Sequence, residues 1–269
     1  MLMEFIDKTQ GKAEADQRIE AFLQSLNGNY PSDLYEALRA KTTVKDGLVK
    51  QLLRENNNRC CYCMREIGGA SLEHVIPQST KDQNQYNQYF TLDSELKNAD
   101  IVLESAFLQN PTTVPPYPHT IAYENLVPSC LGYLASKESK CCNNKRGNRF
   151  IHPLIFRNTI AREIVYKENG SVIWRGEPDD NSPQAMPTIT TLGLDCAELK
   201  VIRRIWCYLA QHNLSYDANR EEVIYNLIFQ PSNSEEEELL NMLLNFERDD
   251  YWNLLAKYSY FNDASKFTP

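Results

Sequence analysis

Apolar residues recur at the spacing of an amphipathic helix through the first part of the chain. The repeat occurs twice, first at Ile19, Phe22, Leu23 and Leu26 and then at Val44, Leu48, Leu52 and Leu53. Intervals of three and four residues place side chains on one face of a helix, so the pattern predicts helices that pack through an apolar side. Gly28 and Pro31 predict a break between them. We therefore assign residues 1–58 to an N-terminal helical region.

The middle of the chain, residues 59–153, has no sustained hydrophobic period. Its segment from Thr80 to Thr120 is polar and contains Pro111 and the pair Pro115-Pro116. Prolines interrupt helices and central strands, and a long connection without a period of its own is typical of an insertion. The pattern predicts an irregular insertion at about 80–120.

Regular patterns return in the C-terminal region, residues 154–269. Ile164–Lys167 and Ser171–Trp174 flank Asn169-Gly170, which predicts a β-hairpin, since these two residues favour its tight turn. Asp195 is then expected to cap a helix. The apolar face of that helix is formed by Leu199, Ile202, Trp206 and Leu209. This region is expected to hold a hairpin followed by helices.

Composition indicates a globular chain. It has 269 residues, of which 42% are hydrophobic, enough for one large domain or two smaller ones. No stretch approaches the roughly eighteen apolar residues of a membrane span, and the start of the chain does not resemble a secretion signal. We therefore expect a cytoplasmic protein with no membrane association.

Net charge restricts how the chain can meet nucleic acid. At −8, the whole surface is unsuited to broad phosphate binding, so any basic surface must be local. The segment from Lys137 to Glu168 contains eight Lys or Arg residues and three acidic residues, a local net charge of +5. We predict nucleic-acid contacts from Lys145, Arg146 and Arg149 in this strip.

Cysteine spacing indicates a metal site. In a chain without a secretion signal, the eight cysteines favour metal ligation or buried thiols over disulfides. Cys60 and Cys63 form a CxxC pair, and Cys130 and Cys142 supply a second half, with Cys141 as an alternative to Cys142. Four thiolates suit a tetrahedral structural zinc. Cys196 and Cys207, which lie apart from both halves, are interpreted as buried thiols.

Between the two cysteine pairs lies "EHVIPQS", which contains Glu73 and His74. The order CxxC, acid-His, Asn-Leu and Cys-Asn-x-x-basic-Gly resembles the HNH endonuclease family over about 90 residues. "EHVIPQS" is also similar to the HNH domain of CRISPR effector nucleases. "NLVPSC", "RFIHPL" and "TITTLGLDCAELKVIRR" are similar to the HNH subunits of Septu anti-phage systems, the PtuB family, also found with some retrons. The resemblance implies an α+β fold whose ββα-metal core is tied by a zinc bound to four cysteines and flanked by helical N-terminal and α/β C-terminal regions.

The resemblance also implies roles for individual residues. His74 would be the general base that activates water, since neutral imidazole titrates near working pH. Glu73 and Asn143 would hold a catalytic Mg²⁺ or Mn²⁺, with Asn144 as a rival ligand. Asn125 would brace the loop that carries His74, and Arg146 would contact phosphate. Because neighbours on a strand point to opposite faces, Glu73 and His74 can share a cleft only if the backbone is irregular or the metal lies to one side.

These roles predict a metal-dependent endonuclease acting on phosphodiester bonds in DNA or RNA. The resemblance implies an anti-phage effector that works with a PtuA-like ABC-type ATPase. An alternative is a zinc-stabilised nucleic-acid-binding or adaptor module that does not cleave. No base-reading motif distinguishes DNA from RNA.

Overall fold

The fold is mixed α+β, with helices and small sheets around one apolar core. The computed structural model describes residues 3–92, 94–134, 140–175, 182–213 and 253–269, together with Ser234 and Glu237. One buried cluster includes Phe22, Leu126 and Trp206, so the three regions predicted from the sequence share a core. Among the described helices, none combines the length and the apolar character that crossing a membrane requires.

The N-terminal region is helical, as the hydrophobic spacing predicts. Helix α1 (Thr9–Ser25) packs on α3 (Thr42–Glu55), and α2 (Leu34–Ala40) lies between them in the chain. Asp33 caps α2 by accepting a hydrogen bond from the Glu36 backbone N–H at 2.9 Å. The predicted apolar positions Ile19, Phe22, Leu23, Leu48, Leu52 and Leu53 are buried.

The insertion of the middle region is more regular than the polar sequence predicts. After strand β1 (Ser71–His74), the chain forms α4 (Gln83–Gln88), β2 (Ile101–Val102), α5 (Glu104–Phe107) and β3 (Tyr117–Pro118). Strands β2 and β3 pair in parallel. The segment folds because scattered apolar residues still reach the core, among them Tyr86, Leu92, Leu96 and Phe107.

After the insertion, β4 (Leu126–Ser129) returns to pair antiparallel with β1. In this register, Glu73 lies opposite Val127 and His74 opposite Leu126. Helix α6 (Cys142–Arg146) follows. An antiparallel strand pair and a short helix therefore carry the residues whose chemistry the sequence singles out.

The C-terminal region contains the predicted hairpin. Its elements are α7 (Ile160–Glu163), β5 (Ile164–Lys167), β6 (Val172–Trp174), α8 (Ser182–Thr191), α9 (Ala197–Gln211) and β7 (Phe267–Thr268). The hairpin β5–β6 turns at Gly170, whose φ of +82° favours glycine, and β7 pairs in parallel with β5.

Helix α9 buries the predicted apolar residues, but its predicted cap is wrong. Leu199, Ile202, Trp206 and Leu209 all lie in the core. Cys196 occupies the N-cap position and makes no side-chain cap. Asp195 instead accepts a hydrogen bond from the Val172 N–H at 3.0 Å, because the turn directs its carboxylate toward β6.

Candidate functional site

Four buried cysteines form a cluster that could bind a metal such as zinc. The sulfur atoms of Cys60, Cys63, Cys130 and Cys142 all lie within 4.8 Å of one another. Cys60 Sγ is 3.7 Å from Cys142 Sγ, and Cys63 Sγ is 3.8 Å from Cys130 Sγ. Zinc–sulfur bonds of about 2.3 Å give a tetrahedron with edges of about 3.8 Å. The donor set therefore fits a tetrahedral ion.

Tight turns bring the cysteines together. In the first turn, the Cys60 carbonyl accepts a hydrogen bond from the Met64 N–H at 3.1 Å, and Met64 adopts a φ of +62°. The Cys61 N–H donates to the Pro128 carbonyl at 2.9 Å, which ties this turn to β4. In the second half, Cys142 has a φ of +53° and donates its N–H to the Leu192 carbonyl at 2.7 Å.

Cys142, rather than Cys141, belongs to the four-sulfur group. Cys141 lies beside it, with its Sγ 3.5 Å from that of Cys142. Cys61 is also buried but is not part of the group. Cys207 is buried, as predicted, whereas Cys196 is only half-buried, and neither belongs to the four-sulfur group.

His74, at the end of β1, is buried and held by both ring nitrogens. Its Nε2 lies 2.7 Å from the Thr120 carbonyl oxygen, which can only accept, so Nε2 carries the proton. Burial lowers the pKa of His74 to about 3 and keeps the ring neutral. Its Nδ1 is therefore the acceptor, facing the Gln78 amide nitrogen at 3.2 Å. Tyr35 packs edge-on against the ring, with 4.5 Å between centroids.

Glu73 is buried beside a guanidinium. Arg146 Nη1 donates to Glu73 Oε1 at 2.9 Å and to the His74 carbonyl at 2.7 Å, while Nη2 donates to the Val75 carbonyl. Burial raises the pKa of Glu73 to about 7, although the charge of Arg146 lowers it. The carboxylate is thus held in one orientation at the end of β1.

Both residues reach one cavity, called here the His74 cavity, with a volume of about 800 Å³. Its lining includes Glu73, His74, Gln78, Thr120 and Asn143. Successive side chains of a regular strand point to opposite faces. Strand β1 ends at His74, and Arg146 donates hydrogen bonds to the carbonyls of His74 and Val75 at this end. Glu73 and His74 nevertheless line the same cavity.

The two candidate asparagines of α6 differ in position. Asn143 lines the His74 cavity. The Asn144 amide instead donates to the Leu131 carbonyl at 3.3 Å, and its side chain is not part of the cavity lining. Of the two, Asn143 is the one that can act together with Glu73.

Asn125 is fully buried beneath the segment that follows His74. Its Oδ1 accepts from the Ile76 N–H at 2.6 Å, and its Nδ2 donates to the carbonyls of Ile76 and His119 at 2.9 and 2.7 Å. These bonds hold the segment after His74, at Ile76, against the backbone at His119. Asn125 itself is not in the cavity lining.

The basic residues predicted to bind nucleic acid occupy different environments. The side chain of Arg146 is 0% exposed, so the structure gives it an interior contact with Glu73 in place of the predicted phosphate contact. Arg149 is exposed, yet its guanidinium donates to the carbonyls of Arg146, Lys145 and Thr191. Lys145 is exposed and outside the cavity lining, and Lys137 lies outside the described residues.

Several contributors to the site could not be identified from the sequence. Gln78 lies four residues after His74 in "EHVIPQS", and its place in that motif was the only indication in the sequence that it belongs to the site. Tyr35 and Thr120 are distant in sequence, and Thr120 acts through its backbone, so residue type gives no indication of its role. The cavity lining also includes three basic residues, Arg39, Lys45 and Lys81.

Comparison of the sequence with models of known protein families gives no match, and searches of curated proteins and of solved structures likewise give none.

Proposed function

We propose that this protein is a metal-dependent HNH endonuclease that hydrolyses phosphodiester bonds in nucleic acid. In this proposal β1, β4 and α6 are the ββα core. The observation that carries it is the convergence of His74, Glu73 and Asn143 on one cavity, with the His74 ring fixed by the Thr120 carbonyl. Support also comes from the order of the motifs along the chain.

His74 would accept a proton from water through Nδ1. The Thr120 carbonyl keeps the other ring proton on Nε2, so the ring needs no tautomer change before it acts. Burial makes free His74 a weak base, with a pKa of about 3. A phosphate in the cavity would raise the basicity of His74, because a nearby negative charge favours the protonated ring.

The oxygen donors of Glu73 and Asn143 suit a hard divalent ion such as Mg²⁺ or Mn²⁺. The Glu73 carboxylate accepts from Arg146 and from the His74 backbone N–H, and its remaining acceptor positions would bind the ion. When bound, the ion would stabilise the negative charge that develops on the phosphate and the leaving oxygen. The four cysteines would hold a structural zinc, whose binding contributes to folding.

Incubation with plasmid DNA and with total RNA, with and without added Mg²⁺ or Mn²⁺, tests the proposal. We expect cleavage that depends on the added ion and falls about a hundredfold or more in His74→Ala, the scale of a missing general base. The matched control is His212→Ala, at an exposed histidine that follows α9. His74→Ala that cleaves at the parental rate would show that the base is assigned wrongly.

The ion pair between Glu73 and Arg146 favours a second candidate. A carboxylate already neutralised by a guanidinium has less need of a metal ion, as in a nucleic-acid-binding or adaptor module without cleavage. Binding of nucleic acid with no nicking under any divalent ion would favour this alternative.

We further propose that the enzyme is an anti-phage effector and that a PtuA-like ABC-type ATPase is its partner. The support is the similarity of "EHVIPQS", "NLVPSC" and "RFIHPL" to the HNH subunits of Septu and retron systems.

A further inference from the structure

We propose that Arg39, Lys45 and Lys81 bind the phosphodiester backbone of the substrate at the mouth of the His74 cavity. The N-terminal helices would then form one wall of the nucleic-acid site. This inference rests on the proposed function for the identity of the cavity, but it concerns binding and can be measured without cleavage.

The three cations reach one cavity from separate elements. Arg39 lies in the last turn of α2, Lys45 in the first turn of α3, and Lys81 beyond the turn that follows Pro77. All three line the cavity that also holds His74. The side chains of Arg39 and Lys45 are 53% and 39% exposed, so both can contact a ligand that lies across the opening.

Acidic residues also line the cavity, and each already accepts hydrogen bonds from the protein. Asp33 accepts from the Glu36 backbone N–H as the cap of α2, and Glu36 accepts from Arg39 at 2.7 Å. Glu104 accepts from the Leu34 N–H at 3.0 Å and from the Thr120 hydroxyl at 2.9 Å. These contacts occupy part of the acceptor capacity of the carboxylates.

Arg39 and Lys45 form exposed ion pairs, which a phosphate group can replace. Arg39 pairs with Glu36, and Lys45 with Asp46 at 3.3 Å, both at the surface. Exposed pairs contribute about 0–1 kcal/mol, so a phosphate can replace them at little cost. Lys81 forms no salt bridge with the described residues. Burial raises the pKa of Glu104, which lines the same cavity, and the positive charge of Lys81 lowers it.

The test uses the His74→Ala variant, which separates binding from cleavage. Into it, Arg39→Gln, Lys45→Gln and Lys81→Gln are introduced together, and binding to a fluorescent DNA duplex and to an RNA of the same sequence is followed by anisotropy. We expect weaker binding and a shallower dependence of affinity on salt. On duplex DNA, the logarithmic slope should fall by about 0.9 for each phosphate that is no longer neutralised. The two probes show which nucleic acid supplies the phosphates.

A second triple variant controls for net charge. Lys50→Gln, Arg54→Gln and Lys257→Gln remove the same three positive charges from exposed positions outside the cavity lining. We expect its affinity and salt slope to match those of the His74→Ala parent. Equal losses in the two triple variants, no loss in the cavity variant, or no binding of either probe by the parent would each overturn the inference. If the unsubstituted chain, with His74 intact, binds the probes but does not cleave them with any added divalent ion, the proposed function alone would be overturned.

Discussion

Arg146 organises the candidate site through a single side chain. Its guanidinium donates to the Glu73 carboxylate and to the carbonyls of His74 and Val75, and its Nε donates to the Arg149 carbonyl at 2.9 Å. The planar arrangement of donors on arginine makes these simultaneous bonds possible, which the compact ammonium of lysine does not allow. One buried residue therefore joins the end of β1 to α6.

Removal of this guanidinium should be costly. Arg146→Met leaves the Glu73 carboxyl and the carbonyls of His74 and Val75 without their donor. Glu73 would then take up a proton, because burial already raises its pKa, and we expect a loss of about 1–3 kcal/mol in the free energy of unfolding from the unsatisfied buried groups. Urea unfolding followed by circular dichroism measures the change. Arg162→Met, at a more accessible arginine, should cost less than about 0.5 kcal/mol. Equal stability of the parent and Arg146→Met would contradict the structural role.

That Glu73 and His74 belong to one site was predictable from the short motif that contains them, and both line one cavity. The environment of Arg146 was not. Residue type alone favours a phosphate contact for an arginine in a basic strip, whereas its contact with Glu73 spans most of the middle region. Arg146 contacts Glu73 because it is buried. Its burial depends on how α6 packs against β1, which the sequence alone does not show.

At the scale of elements, the four-cysteine cluster joins three segments that are far apart in the chain. Cys60 and Cys63 precede β1, Cys130 follows β4, and Cys142 begins α6. A metal held here would restrain both strands of the pair and the helix that carries Asn143. The geometry of the His74 cavity would thus depend on an ion that is not itself in the cavity.

Substitution of neighbouring cysteines tests which sulfur is the fourth ligand. We expect purified parent to carry one zinc per chain by elemental analysis. Cys142→Ser should lose the zinc and unfold at a lower temperature, since a structural zinc contributes on the order of 10 kcal/mol. Cys141→Ser, its matched control, should retain both the zinc and the thermal transition. A well-folded parent that contains no zinc would contradict the proposed zinc site. Loss of zinc from Cys141→Ser but not from Cys142→Ser would make Cys141 the fourth ligand.

Long periodic elements were predictable, but short ones were not. Helices α1, α3 and α9 bury a continuous apolar face, and that face is visible as a period in the sequence. Strands β1 and β4 have four residues each and are buried on both sides, so they show no alternation. The insertion was expected to be irregular because it is polar and interrupted by prolines, yet Tyr86 and Phe107 reach the core.

At the scale of the whole molecule, the negative net charge indicates that the chain needs a partner to bind nucleic acid well. A chain with a net charge of −8 repels nucleic acid at long range, and the candidate binding cations are confined to the mouth of one cavity. Weak binding by the isolated chain is the expected result. A partner that delivers the substrate, and that restrains cleavage until it is needed, fits this balance of charge.

Co-expression with a PtuA-like ABC-type ATPase, the proposed partner, tests that expectation. We predict a stable complex in gel filtration and a change in cleavage activity on addition of nucleotide. The His74→Ala variant should form the same complex, because His74 is buried and not available to a partner. Separate elution at micromolar concentration, together with full activity of the isolated chain, would contradict the prediction and leave the nuclease proposal standing.

The pairing of β1 with β4 has a consequence for synthesis on the ribosome. His74 pairs with Leu126 across the whole insertion, and Asn143 comes later still. The pairing therefore waits for a long loop to close, which slows folding. A nascent chain that ends before α6 has His74 but lacks Asn143, Arg146 and the last cysteine of the cluster. Interrupted translation before the end of α6 would release fragments without a complete cavity, so the proposed cleavage would require at least the first 146 of the 269 residues.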